Sequence, residues 1–278
     1  MSGLLQLMIT PFVTCMILVA MLAYLGVHVI ARGVIFVDLS LAQMAALGTT
    51  SALLINVDPD SGTAYAFALA FTTVGAFIFA MTHTAKEKQR VPHEAIIGIV
   101  YIVASAAAIL VADRAPKGAE AIKDVLVGSL LWVTWPAVFK LFLVYFGLAV
   151  FHYFLRNRFM TISLKEDEVA AQGWKVRWWD FLFYLSFGVA ITLAVPIAGV
   201  LLVFTFLVVP AVIAFLFTRK EGTLILVSWL SSALASALGL FISFRFDLPT
   251  GPLIVVVFGL VLLGAGGVRW VLTAQGRP

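Results

Sequence analysis

The stretch FLFYLSFGVAITLAVPIAGVLLVFTFLVVPAVIAFLF, residues 181–217, decides the fold. It carries no formal charge over 37 residues, too apolar for a soluble surface and too long for a single membrane crossing. About 20 residues at 1.5 Å each cross a hydrocarbon core about 30 Å thick. Pro196 and Gly199 stand near the middle of the run, where a turn divides it. The stretch therefore reads as two adjacent spans, at about 180–195 and 198–217.

The rest of the chain repeats that pattern. Of 278 residues, 63% are apolar and 12% charged, with a mean hydropathy of +1.09. Soluble domains carry roughly 25% charged residues. Disorder needs the opposite balance of charge and hydrophobicity, and a disulfide scaffold is excluded by a lone cysteine, Cys15. Further spans are predicted at about 8–30, 34–55, 63–82, 94–112, 136–155, 223–243 and 251–271, with a short helical stretch at 119–132. The fold class is all-α: a polytopic helical membrane protein of nine spans, or eight if one piece is re-entrant, in a single domain over 1–278. The first segment does not read as a cleaved signal peptide, since no positive residue precedes it and its apolar run is too long. Cys15, inside that span, reads as a packing residue.

Nine spans place the loops alternately on two sides. Arg32, Lys86, Lys88, Arg90, Arg156, Arg158, Lys165, Lys175, Arg177, Arg219, Lys220, Arg269 and Arg277 share one side, 13 of the 18 basic residues. Arg114, Lys117, Lys123, Lys140 and Arg245 share the other. The positive-inside rule then puts the N-terminus outside and the C-terminus in the cytoplasm. The net charge of +4 is mostly topology and partner contact, with no nucleic-acid binding implied. No GxxxxGK[ST], HExxH, nucleophile elbow or cysteine pair occurs, so the chain does not read as an enzyme.

The most informative polar stretch is RNRFMTISLKEDEVAAQGWKVRWWD, residues 156–180. Ser163 is placed to cap a short helix at about 165–172, with Glu166 at capping-box distance. Glu166, Asp167 and Glu168 favour its positive end, and Gly173 is placed to stop it. Trp174, Trp178 and Trp179 mark the return through the membrane interface. The stretch is either an ordinary interfacial loop or a docking helix for a cytoplasmic partner.

MTISLKEDEVAAQGWKV, followed by GVLLVFTFLVVPAVIAFLFTRK, resembles the permease subunits of zinc/manganese/iron ABC importers. FVDLSLAQMAALG at 36–48, VGSLLWVT at 127–134 and FDLPTGPLIVVVFG at 246–259 match in the same order, across nearly the whole chain. The resemblance implies a homodimer in the lipid bilayer of a bacterial-type inner membrane. It also implies two cytoplasmic ABC ATPase subunits, which hold the ATP and Mg²⁺, and an extracytoplasmic metal-binding protein. No cofactor is implied in this chain, and the cargo is a divalent metal ion. Val169, Ala170, Ala171 and Gly173 would form the coupling surface with Glu166 and Asp167 beside them, although Gly173-Trp174 is bulkier than the family's usual Gly-Ile or Gly-Val.

In that family the segment matching 36–48 carries Asp and His four residues apart, as cation ligands or gates. Counting back from Gly48, Gln43 falls on the His position and Leu39 on the Asp position, with Asp38 one residue early. Five residues at roughly 100° each put Asp38 and Gln43 about 140° apart on a regular helix; a π-bulge would align them. Amide oxygen is a poor zinc ligand, and His28, His83, His93 and His152 all fall near cytoplasmic ends of predicted spans. Oxygen-ligand handling of Mn²⁺ or Fe²⁺ therefore fits better than a closed zinc cage. Alternatively, Asp38 pairs with Arg32 and Gln43 makes a helix–helix hydrogen bond.

Glu94 reads as a helix N-terminal carboxylate, and Asp113, Arg114, Glu120, Lys123 and Asp124 as a mixed-sign external rim. Asp247, in the turn FDLPTGP, is a candidate external gate or docking residue. SSALASALG at 231–239, Ala104 to Ala108 and Gly264 to Gly267 offer close helix packing, within the protomer or at a dimer seam. Pro196 and Pro210 mark either broken helices lining a path or simple packing. Rival functions are import of a metal chelate such as a siderophore or corrinoid, ion-coupled secondary transport with Asp38 as carrier, and a structural subunit without transport. Asp38→Ala and Gln43→Ala are each expected to lower metal-dependent uptake while the complex still assembles; normal uptake in both variants removes these residues from the mechanism.

Overall fold

The computed structural model describes residues 2–59, 61–82, 91–115, 128–164 and 174–275. Among them nine α-helices follow one another: α1 (Ser2–Arg32), α2 (Val37–Leu53), α3 (Gly62–Thr82), α4 (His93–Arg114), α5 (Trp135–Leu164), α6 (Val176–Ala198), α7 (Val200–Phe217), α8 (Glu221–Phe246) and α9 (Thr250–Ala274). Each span read from the sequence has its helix. Eight are long and apolar enough to cross a membrane. The ninth, α2, has 17 residues, about 26 Å at 1.5 Å each, and most of its side chains are buried in protein.

The 37-residue run breaks where the sequence places the turn. Pro196 lies in the last turn of α6, and Gly199, at φ 78°, is the single residue between α6 and α7. That φ belongs to the left-handed region, where a Cβ is penalised. Against the break lies Gly128, at φ 71°, and the Ser129 N–H donates to the Ile197 carbonyl at 2.9 Å. Of the helical stretch predicted at 119–132, only its end is described, as a 3₁₀ turn over Leu130–Trp132; residues 119–127 lie outside the described residues.

Helices α2, α3, α4 and α6 pack as one group and α1, α7, α8 and α9 as another, with α5 against α1 and α6. The apolar stretches of α1 and α6 are each 67% buried, against 22% in α4 and α5 and 17% in α9. Helices α1 and α6 therefore form the centre, and the outer ones turn Leu110, Phe154 and Leu263 outward. Such side chains suit lipid, which makes no demand for polar groups.

Because lipid tails are as apolar as the helices, association rests on close backbone approach. A Cβ on Gly26 of α1 would run into the Leu207 carbonyl of α7. One on Gly48 of α2 would stand 2.6 Å from the Phe67 carbonyl oxygen and 2.8 Å from the Ala68 Cα of α3. One on Gly239 of α8 would stand 2.9 Å from the Ile254 Cα of α9. The SSALASALG stretch accordingly packs inside the protomer, with Ser232, Ala235, Ser236 and Gly239 all buried. Ala104 and Ala108 are buried as well. Of the two readings of Gly264 to Gly267, packing within the protomer is not seen: among the described residues nothing lies within 4 Å of a Cβ added at Gly264, Gly266 or Gly267, and the buried residues of α9 are Thr250, Ile254, Val257 and Phe258.

Helix α5 runs past its predicted end at 155, and Ser163 lies within its last turn instead of capping a following helix. Its hydroxyl is engaged by two α1 side chains and is not available to cap. Cys15 is buried in the core, as its packing role requires.

Gly26→Val is expected to cost about 3 kcal/mol or more through overpacking, seen as a lost or lowered thermal transition in detergent, whereas Gly266→Ala leaves the transition unchanged.

Candidate functional site

One end of the bundle, where α1 and α5 finish and α2, α4 and α6 begin, collects the buried ionisable side chains His28, Asp38, His93 and Asp180. Tyr24, His28 and Arg32 are spaced by four along α1, so they share a face. His28 Nδ1 lies 2.8 Å from Ser163 Oγ on α5. Arg32 Nε donates to the same hydroxyl at 2.7 Å, and Arg32 Nη1 donates to Asp180 Oδ1 on α6 at 2.6 Å. The Arg32 and Asp180 side chains are 6% and 0% exposed. Arg32 is the last residue of α1 and Asp180 lies near the start of α6, so each charge sits at the helix end whose dipole favours it. The guanidinium also lies over the Phe183 ring, 4.0 Å from its centroid.

His152 of α5 joins the same cluster. Its Nε2 lies 2.8 Å from Ser186 Oγ on α6. Its ring stands 4.9 Å from that of Phe159, 5.4 Å from Tyr24 and 6.0 Å from Phe183. Since α5 extends to Leu164, His152 is about 18 Å from the helix end at 1.5 Å per residue, deeper than its predicted place.

Beside this cluster, Asp38 lies in the first turn of α2, 2% exposed, with its carboxylate against the Leu39 backbone N–H. Its Oδ1 has no hydrogen-bond partner among the described residues. Glu94, in the first turn of α4, is near enough for its charge to act on Asp38. Glu94 Oε1 accepts the backbone N–H of Phe36, the residue that caps α2, at 2.9 Å. Glu94 therefore ties α4 to the entrance of α2 in addition to favouring its own helix end.

Of the two readings of Asp38, the pair with Arg32 is not seen; Arg32 pairs with Asp180. Helix α2 is continuously α-helical, so no π-bulge brings Asp38 and the half-buried Gln43 onto one face. Asp247 lies at the opposite end, exposed, as the left-handed C-cap of α8 at φ 53°. Asp tolerates that conformation better than most residues, and Ser243 Oγ braces the turn by donating to the Leu248 carbonyl at 2.7 Å. Asp113 and Arg114 are exposed, 3.6 Å apart. The proposed coupling helix at 165–172, with Glu166, Asp167, Glu168, Val169, Ala170, Ala171 and Gly173, lies outside the described residues, as do His83, Lys86, Lys88, Arg90, Lys117, Glu120, Lys123 and Asp124.

Sequence reasoning missed the Arg32–Ser163–Asp180 junction, whose partners stand 131 and 148 positions from Arg32. The four-residue spacing of Tyr24, His28 and Arg32 was the one available signal. Among the described residues no group of three or more His, Cys, Asp or Glu is placed to hold a metal ion.

The nine packed apolar helices among the described residues, eight of them long enough to cross a membrane, make a polytopic membrane protein. The chain belongs to the ABC 3 transport family, which it matches over residues 4–268. It is 25% identical over 167 residues to a probable metal transport system membrane protein of Chlamydia muridarum, covering 60% of this chain and 57% of that one. It is also 25% identical over 218 residues to the manganese transport system membrane protein MntB of Synechocystis, covering 75% and 71%. Its fold is that of a chain in PsaBC from Streptococcus pneumoniae in complex with Fab, with a TM-score of 0.76, 21% identity, and 92% and 89% of the two chains covered. The chain is thus an integral membrane protein of that transport family, and it spans a little over half the length of the Chlamydia relative.

His152→Ala is expected to cost about 3 kcal/mol by emptying its place among the rings, read as a lower thermal transition, while His152→Phe keeps both the transition and metal uptake; lost uptake in a stable Phe variant would show that the imidazole itself serves transport.

Proposed function

We propose that this chain forms, with a second copy, the path of an ATP-driven importer for a bare divalent transition-metal ion, with Mn²⁺ and Fe²⁺ suiting its residues better than Zn²⁺. The observation that carries the reading is the family match over residues 4–268. Two cytoplasmic ATPase subunits supply the drive, binding ATP and Mg²⁺, and an extracytoplasmic metal-binding protein delivers the cargo. The N-terminus lies outside and the C-terminus in the cytoplasm, on the asymmetry of 13 basic residues against 5. The junction of Arg32 with Asp180 then stands at the cytoplasmic end, and Asp247 at the external end as gate or docking residue.

Within the path, Asp38 and Gln43 line the route at different depths and on different faces of α2, meeting the ion in succession. An ionisable group buried within a membrane protein is costly and is usually retained for function. Both residues offer oxygen, which suits Mn²⁺ better than it suits a structural zinc site. The whole chain, 1–278, acts as one permease domain. Residues 165–172 form its coupling helix, with Glu166, Asp167, Val169, Ala170, Ala171 and Gly173 meeting the ATPase.

Gln43, where the family has His, favours a second reading, import of a metal chelate through a wider path without discrete ligands. Uptake by proteoliposomes holding this chain with its co-purified ATPases separates the readings. Mn²⁺, Fe²⁺ and Zn²⁺ are each tested with and without ATP, as bare ions and as chelates. ATP-dependent uptake of a bare ion is expected; uptake of a chelate alone supports the second reading, and uptake by this chain without ATP sinks both.

A further inference from the structure

We infer that Arg32 is the positioning residue through which relative movement of the end of α5 and the start of α6, the helices flanking the stretch 165–173, reaches the other membrane-spanning helices, an inference that rests on the importer reading above. Ser163 stands just before that stretch in sequence and Asp180 shortly after it. A single guanidinium from α1 holds both, Nε on the Ser163 hydroxyl at 2.7 Å and Nη1 on the Asp180 carboxylate at 2.6 Å. A second tie closes the same gap: the Arg158 guanidinium of α5 lies 4.1 Å from the Trp174 ring centroid and 5.7 Å from that of Trp179. The end of α5 and the start of α6 are therefore fastened to each other and to the end of α1.

The junction stands where the two helix groups meet. Helix α1 packs with α7 and α8, whereas α6 packs with α2 and α3. A displacement imposed between α5 and α6 thus passes to one group through α6 and to the other through Arg32 together with the packing of α5 on α1. The guanidinium suits this task because its planar fork aims donors in fixed directions, which a lysine cannot do. A pair serving stability alone needs neither feature, since buried ion pairs are often replaceable by neutral groups without loss. At the opposite end of the bundle the segment before α5 meets the end of α6, with the Ser129 N–H donating to the Ile197 carbonyl.

The test uses the full chain with its co-purified ATPases in proteoliposomes, with Mn²⁺ as probe, and counts Mn²⁺ transported per ATP hydrolysed. The decisive variant is Arg32→Gln with Asp180→Asn, which leaves an amide pair and no unpaired buried charge. It is expected to assemble and hydrolyse ATP while the ratio falls roughly tenfold or more, the usual scale of coupling between sites. Arg32→Lys is expected to fall between that variant and the unaltered protein. A ratio unchanged in the assembled double variant overturns the inference, and so does a proportional fall in uptake and hydrolysis, which marks a structural role. Should the double variant fail to assemble, Ser163→Ala decides by the same ratio, a fall supporting and no change overturning. An unaltered complex without ATP-dependent Mn²⁺ uptake overturns the importer reading itself.

Discussion

The ion pair between Arg32 and Asp180 is the interaction on which this end of the molecule depends. Burying two charges costs several kcal/mol each in real proteins unless geometry and further hydrogen bonds offset it. Here both offsets are present. Arg32 spends a second donor on Ser163, its face lies on Phe183, and each charge sits at the helix terminus that favours it. The pair is also topological: it joins the last residue of α1 to the first turns of α6, the two most buried long helices. Because α1 and α6 belong to different packing groups, the pair is a polar seam between two bodies that otherwise meet through apolar surface.

Away from that seam, cohesion comes from close approach. In water a chain this apolar would be driven together by the hydrophobic effect, but lipid supplies no such drive between helices. Glycine and small residues at Gly26, Gly48, Gly188 and Gly239 let backbones come within reach of one another's carbonyls and side chains. Buried hydroxyls add short hydrogen bonds, such as Tyr145 Oη to the Ala190 carbonyl at 3.0 Å. Beyond Phe258, α9 has no fully buried residue, and a Cβ added at Gly264, Gly266 or Gly267 meets nothing among the described residues.

Charge is scarce within the bundle. Asp38 places its carboxylate against the first N–H groups of α2, with Glu94 close by. The histidines that sequence might assign to a metal are otherwise employed. His28 and His152 hydrogen-bond serines and pack against Tyr24, and His93 packs near Phe79 and Tyr184.

The number of helices, their places along the chain and the split at Gly199 were legible in the sequence. Each rests on local chemistry: apolar length against bilayer thickness, and a proline and glycine that end a helix. Family membership was legible too, because short motifs kept their order. The role given to Ser163 was wrong because a capping residue and a mid-helix serine look alike until the helix end is known. The pairing of Arg32 was misread for a related reason: Asp38 is near in sequence, yet the chain turns α2 away and brings α6 alongside. The sequence by itself determined what crosses the membrane, since hydropathy is a sum over neighbouring residues. Only the tertiary structure decided which helix the lone buried arginine holds, since that depends on packing between segments 148 positions apart.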